Sequence, residues 1–546
     1  MSNHHRSRSR LQAILLALLI LAGNSLVSLA QGQATLEKSS KVAEPIAKGQ
    51  RVFTCGHSFH VWVPGIVTDL AKLAGIPEHT QIGVSSIGGS RTIQHWDIPD
   101  EKNTAKTADA TSSPHVYEHA DHLVLGEAEL TLSRWLTDFQ QHAALKRYEP
   151  GTDRADVTKT PVPRFDLLKL NRYLYPSVQF ARGCPFLCEF CDIIELFGRV
   201  PRLKTPEQLL RELDKLYQLG YRGLVDIVDD NFIGNKRDVK KFLPHLIAWQ
   251  EQHGFPFEFS TEASINLADD DELLGLMQAA NFLTVFIGIE SSDDDVLVET
   301  RKAQNTRRDM VASVQKLYSY GMWVSAGFIL GFDGERAGIA TQVTKLIGDC
   351  AIPVAMVGLL YALPGTQLTR RLAKEGRLFD SFDRADERDS GGDQCASGLN
   401  FTTLRPRIDV LRDYDSVLAE IYSPAAFFDR VRRVGLAINS AQHKNNFSWQ
   451  LFFRDARSLL RVIWRQGIVA PYRREFWSAV LGVARGNLPG LRVAIALATF
   501  YLHLGEFSLY LRGRLQQAIR QEELAALASP ALPARANDTV QLPVIA

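Results

Sequence analysis

"RGCPFLCEFC", Arg182 to Cys191, sets Cys184, Cys188 and Cys191 in a C-x3-C-x2-C array. The chain has six cysteines in 546 residues. That is too few for a disulfide scaffold, yet half of them sit in this one loop. A buried cysteine packs as a small apolar group, but three in a Gly/Pro loop do not make a packing pattern. A structural zinc site takes four ligands, commonly as two C-x2-C pairs. No second pair is present, so Cys350 or Cys395 would have to complete it. A cubane iron–sulfur cluster on three thiolates fits better, because it leaves one iron with open positions for a cofactor or substrate.

Outward from the loop, the chain alternates regularly. Apolar runs at "SVQFA", "GLVDIVDD", "FEFSTEAS", "LTVFIGIE", "WVSAGFILGF" and "AMVGLLYAL" read as buried parallel strands. Amphipathic segments between them read as helices. In the one after Lys204, Thr205 can cap, Pro206 takes the first turn and Gln208 completes a capping box. Leu209, Leu210, Leu213 and Leu216 form its apolar stripe, and Gly220 ends it. Six such units predict an α/β fold, a partial (βα)6 barrel smaller than the eight-unit TIM barrel. Chemistry in such sheets collects at the carboxyl ends of the strands, and the cysteine loop leaves the end of the first strand.

With Phe190 before the last cysteine and the flanks "ARGCPFLCEFCD", the loop resembles the signature of radical S-adenosylmethionine (SAM) enzymes over residues 175–375. The resemblance implies a [4Fe-4S] cluster on Cys184, Cys188 and Cys191, with SAM chelating the fourth iron. It also implies reductive cleavage of SAM to a 5′-deoxyadenosyl radical. Phe190 belongs to the signature. Asp229, Asp230 and Asn231 follow the second strand, where the resemblance places handling of the SAM amino group. An Asx turn ending the strand is the alternative. Glu262 and Ser264 are candidates for the ribose hydroxyls or for structural hydrogen bonds, and Glu290 faces SAM or substrate. An external electron donor such as flavodoxin or ferredoxin is implied.

The resemblance runs on over roughly residues 119–520. "ADHLVLGEAELTLSRWL", within 119–145, looks like the end of the cobalamin-binding domain that precedes the barrel in one radical SAM class. "GLNFTTLRPR" and "YSPAAFFDRVRR", within 400–525, look like its C-terminal helical domain. Members of that class modify hopanoid lipids, so a methyltransferase acting on a lipid or another small molecule is the expected function. No D-x-H-x-x-G cobalt loop occurs, which argues against cobalamin. Residues 51–100 instead resemble a small, truncated α/β fragment of SGNH-type hydrolases, with Ser58 as nucleophile and Gly89 as oxyanion donor. The rival reading is therefore a secreted esterase, or a non-functional fusion of two partial proteins joined near residues 105–118.

Residues 1–30 read as a signal peptide: Arg6, Arg8 and Arg10, an apolar run, then "SLA". That predicts export, whereas an oxygen-labile cluster needs the reducing cytoplasm. An active form is therefore expected in the cytoplasm. A net charge of +1 gives no field for nucleic acid. The apolar stretch Leu488–Leu504 and the Arg/aromatic helices around it suit either a helical core or contact with a membrane surface.

Overall fold

The computed structural model describes residues 51–57, 80–87, 121–363, 365–379, 398–440, 444 and 449–528. Ser58, Gly89, Cys395 and the signal-like residues 1–30 lie outside them. Near the N-terminus, β1 (Arg51–His57) and β2 (Thr80–Ile87) pair in parallel. A short unit follows, of β3 (Leu123–Val124), α1 (Ala128–Gln140) and β4 (Arg147–Tyr148).

The main sheet has six strands, all parallel, in simple sequential order. Its first strand is β5 (Ser177–Val178). A two-residue antiparallel pair, β6 (Ala181–Arg182) with β7 (Arg202–Leu203), then clasps the cysteine loop. The remaining strands are β8 (Gly223–Ile227), β9 (Phe257–Ala263), β10 (Phe282–Glu290), β11 (Trp323–Leu330) and β12 (Val354–Leu359). Each coincides with one of the six expected apolar runs, β10 and β12 beginning one residue earlier.

Between the strands run α2 (Ile193–Leu196), α3 (Pro206–Gln218), α4 (Lys236–Gln252), α5 (Asp271–Ala279), α6 (Asp294–Glu299), α7 (Met310–Ser319) and α8 (Ile339–Asp349). The start of α3 forms as its residues dictate. The Thr205 hydroxyl accepts from Gln208 N–H, and the Gln208 side chain accepts from Thr205 N–H. At its end Gly220 takes φ +80°, Tyr221 N–H reaches Leu216 O and Gly220 N–H reaches Tyr217 O, a Schellman closure.

The strands are not buried alike on both faces. On β11, Val324, Ala326, Phe328 and Leu330 are buried, while Ser325, Gly327 and Ile329 between them are only half-buried. The first set packs under the helices. The second lines a lumen with Phe286, since a Cβ on Gly327 would lie 3.1 Å from the Phe286 ring. The period of two thus returns in a sheet whose sequence reads as continuously apolar.

The C-terminal region is helical: α9 (Gln367–Lys374), α10 (Arg407–Ile421), α11 (Pro424–Ala437), α12 (Trp449–Val462) with a π-helical continuation Ile463–Val469, α13 (Arg473–Gly486) and the long α14 (Leu491–Ala528). Edge strand β12 is covered by it. Tyr414 and Tyr422 hydroxyls donate to Val357 O and Ala355 O at 2.8 and 2.6 Å, and Arg430 Nε donates to Ile352 O at 2.8 Å. Carbonyls that would template another strand are thereby used up. Below the barrel, Arg492 of α14 forks onto Glu258 at 2.5 and 3.0 Å. α14 is long and apolar enough to span a membrane by composition, but Val493, Ala494, Leu497, Ala498 and Tyr501 bury one face in the bundle. One face of the apolar stretch Leu488–Leu504 is thus helical core, while Leu488 and Phe500 stay exposed.

Candidate active site

The cysteine loop sits over the carboxyl end of β5 and is fixed at both ends. At its entry Arg182 pairs with Glu127 and Glu129 at 2.8 and 2.7 Å, and Arg202 at its exit reaches the same Glu127 at 3.0 Å. Burial works to raise the Glu127 carboxyl, and the hydrogen bonds from Arg202 and Arg182 outweigh it, so the group is held low. Gly183 takes φ +97°, and a Cβ there would lie 2.8 Å from Gly198 O. Both facts require glycine. Gly183→Ala is expected to destabilise the loop by about 1–3 kcal/mol and to lower cluster occupancy, measured as iron bound per chain.

The Asp229–Asp230–Asn231 triplet after β8 divides its duties. Asp230 accepts from Gly183 N–H at 2.9 Å and so holds the loop entry. Asp229, 1% exposed, accepts from Phe180 N–H at 2.7 Å and is turned away from the lumen. Burial pushes its carboxyl up to about 8. It therefore retains a proton at pH values where the unfolded chain has released one. Stability from this group falls as pH rises from the ordinary carboxylate range to about 8. Asp229→Asn is expected to remove that slope, read from urea midpoints across the range. Asn231 Nδ2 lies 3.8 Å from Cys184 Sγ and 3.2 Å from Ser264 Oγ, while its Oδ1 accepts from Ser264 N–H at 3.2 Å. Ser264 Oγ donates to Asn266 Oδ1 at 2.6 Å.

On the other side, Glu290 ends β10 at φ +67°, a conformation that strains a non-glycine residue. Asn305 braces it by donating to Gly288 O and Ile289 O, both at 2.9 Å. Lys302 Nζ meets Glu290 Oε1 at 2.8 Å and lies 6.0 Å from the Phe190 ring centre. Against burial, which lowers it, the Glu290 carboxylate beside it holds the Lys302 ammonium above its ordinary range. Gln304 Nε2 lies 3.8 Å from Cys188 Sγ. Glu189, inside the motif, takes Arg371 of α9 at 2.7 and 3.2 Å, and Arg371 continues to Asp333 at 2.8 Å.

Glu262 rises from the inner face of β9 into the lumen. It is open to solvent yet ringed by protein, and burial with Asp226, Asp230 and Glu290 nearby pushes its carboxyl up to about 7. Asp226 accepts from Ser260 Oγ at 2.5 Å. The lumen thus has an acidic wall on β8 and β9. On β11 and β12 the lining is apolar: Met356 is 59% exposed and registers against Gly327, beside Ile329, and Phe286 of β10, in register with Glu262, lies between the two walls.

The donor set fits a cubane cluster. Cys184, Cys188 and Cys191 are free thiols, with Cys184 and Cys191 half-buried and Cys188 buried. Burial pushes Cys191 up to about 12 and raises Cys184, so iron must displace protons to bind. Among the described residues no three His, Cys, Asp or Glu side chains converge on a single-ion point. A cubane asks for a wider spread, one thiolate per iron. Cys350 is fully buried in the core at the end of α8, ahead of β12 and thus at the opposite end of the strands, so it does not complete the loop's donor set. Lys302, Gln304 and the Glu189–Arg371–Asp333 chain were not singled out in the sequence. A lysine in "TRKAQN" and an arginine 182 residues from its partner carry no local signal.

Comparison with known proteins agrees. Residues 178–338 match the radical SAM superfamily, and residues 366–517 match a domain of unknown function, DUF4070. An uncharacterized methyltransferase of Synechocystis is 42% identical over 418 residues, 75% of each chain. The hopanoid C-2 methylase of Rhodopseudomonas palustris is 34% identical over 396 residues, 71% of this chain and 73% of that one. Among solved structures, the cobalamin-dependent SAM radical enzyme OxsB superposes with a TM-score of 0.48 at 13% identity, covering 87% of this chain and 75% of that one. The hydrolase resemblance of residues 51–100 gains no support from these matches.

Proposed function

The chain belongs to the radical SAM superfamily, as a methyltransferase of the kind that includes hopanoid C-2 methylase, and from that premise we propose that its acceptor is a hopanoid or a similarly apolar polycyclic lipid. The observation that carries this reading is the two-walled lumen. Asp226 and Glu262 suit the polar, cationic parts of SAM, while Ile329 and Met356 on the far strands, with Phe286 bridging to them from beside Glu262, offer contacts to an apolar skeleton.

In this reading Cys184, Cys188 and Cys191 hold a [4Fe-4S] cluster, whose bound form supplies the electron that cleaves SAM. Asn231 and Gln304 direct N–H groups at two of the sulfurs, which stabilises their charged form. Lys302 adds a fixed positive charge beside the loop and is ion-paired to Glu290 at 2.8 Å. Glu262 sits at the lumen wall close to neutrality, able to hold or release a proton where SAM binds. A reduced flavodoxin or ferredoxin would feed the cluster, and the need for free thiolates sets the active form in the cytoplasm.

The test is anaerobic turnover with SAM, a chemical reductant and a hopanoid, followed by mass spectrometry of the lipid. Met356→Glu should raise KM for the lipid by about tenfold or more, since it puts a charge on an apolar wall, while leaving SAM affinity unchanged. Methylation of polar small molecules in preference to hopanoids would overturn the acceptor. We further propose that this chain binds cobalamin weakly, because it lacks the D-x-H-x-x-G loop. Equilibrium dialysis with hydroxocobalamin is expected to show no tight complex, and stoichiometric tight binding would refute this.

A further inference from the structure

The helix α12 and its π-helical continuation have two unlike faces. The inner face is core: Val462 is 5% exposed, and Gln466 is fully buried with Nε2 donating to Ala498 O of α14 at 2.8 Å. On the outer face Leu460, Trp464 and Ile468 follow one another a turn apart and are 68, 60 and 52% exposed. Three large apolar side chains in line toward solvent are unusual for a soluble surface.

Arginines flank that line on both sides. Arg457, Arg461 and Arg465 are all exposed on the same helix. Trp477 of α13 packs on the π-helix, its Nε1 donating to Gly467 O at 2.8 Å. It thereby carries the surface on to the exposed Arg473, Arg474 and Arg485. Among the described residues none of these six arginines has a carboxylate partner, whereas Arg492 and Arg512 of the neighbouring helix are paired to Glu258 and Asp415. A stripe of Trp and aliphatic side chains between unpaired arginines is the pattern of a helix lying in a lipid interface: the apolar groups enter the headgroup boundary and the guanidiniums meet phosphate.

We propose that this face, Arg457 to Val469 with the outer side of α13, docks the enzyme on an anionic lipid bilayer. The inference does not depend on the identity of the acceptor. Two observations commit it to lipid rather than to a protein. The charge is of one sign and unpaired, complementary to an anionic headgroup layer, and the apolar side chains form a narrow line rather than a broad patch. A bilayer would also be the store from which an apolar acceptor is drawn.

The full chain, with cluster reconstituted, is mixed with sucrose-loaded vesicles and sedimented. One set is phosphatidylcholine alone; the other is an equal mixture with phosphatidylglycerol. Binding is expected to the mixed vesicles only, and to weaken in high salt. Reversal of two charges, Arg461→Glu with Arg465→Glu, should lower the binding constant by about a hundredfold or more. Trp464→Ser with Leu460→Ser should lower it by about tenfold or more, and Leu174→Ser, an exposed apolar change elsewhere, should not alter it. Iron content and circular dichroism of each variant report whether it has folded, and Trp464→Tyr serves as the milder change if the serine pair has not. Three results would overturn the proposal. One is no binding by the full chain to mixed vesicles at low salt. Another is loss of binding by charge reversal alone, with the apolar pair indifferent. The last is a dimer in solution that Trp464→Ser dissolves while vesicle binding persists.

Discussion

Replacement of any one of Cys184, Cys188 and Cys191 by alanine is expected to abolish both cluster and SAM cleavage. Two thiolates leave a cubane with two iron corners unheld, and among the described residues no fourth cysteine lies at the loop. Cys350 is buried in the core at the far end of the strands. Glu189, next to Cys188, is already committed to Arg371. Anaerobically reconstituted wild type should carry about four irons and four sulfides per chain. Each variant should fall near zero and form no 5′-deoxyadenosine with SAM and reductant. The matched control is Cys350→Ala, which should keep the full cluster and lose only the modest stability of a small buried group. A triple variant that retained iron and sulfide, or a wild type that bound stoichiometric zinc and no iron, would end the assignment.

Lys302→Met comes next in size. Lys302 and Glu290 are a nearly buried pair, their side chains 12 and 11% exposed. Removing the lysine leaves Glu290 without its ion-pair partner in a pocket shared with Glu262 and the cysteine loop. Breaking one partner of a buried pair costs about 3–5 kcal/mol. Here the cost adds to a backbone already strained at φ +67°. Lower unfolding midpoints and a cluster lost on desalting are expected. The double variant Lys302→Met with Glu290→Gln should regain most of the midpoint, because no lone charge remains. It should not regain full SAM turnover, since the cation beside the thiolates is still missing. Equal damage in single and double variants would mean that the pair is not coupled.

Reading the chain alone goes far here, but unevenly. The six strands, the capping box at Thr205 and the position of the cysteine loop were legible because each is a local pattern: an apolar run, a cap with its partner three residues on, three thiols in one turn. The lumen was not, since inward-facing Phe286, Ile329 and Met356 are as apolar as the outward-facing residues beside them. Asp229 and Asp230 are adjacent and of one type, yet Asp229 holds Phe180 from within the core and Asp230 holds Gly183 at the loop. Only the turn of the backbone between them decides which does which. Lys302 was invisible for a different reason. Its meaning lies in what surrounds it, and burial of a lysine is written by other segments of the chain.

The covering of β12 has a consequence for how the protein is made. The last barrel strand ends at Leu359, but its open carbonyls wait for Tyr414 and Tyr422, and Ile352 O just before it waits for Arg430. At typical elongation rates that interval lasts roughly 3 to 15 seconds. During it the nascent barrel trails an unpaired sheet edge from the ribosome, a natural client for a chaperone. Closure of the underside waits longer still, for an Arg492 that lies 234 residues beyond its partner Glu258. The sheet is therefore expected to need its helical cover to stay soluble. A chain stopped before residue 400 should be synthesised, fail to seal its edge, and collect in inclusion bodies.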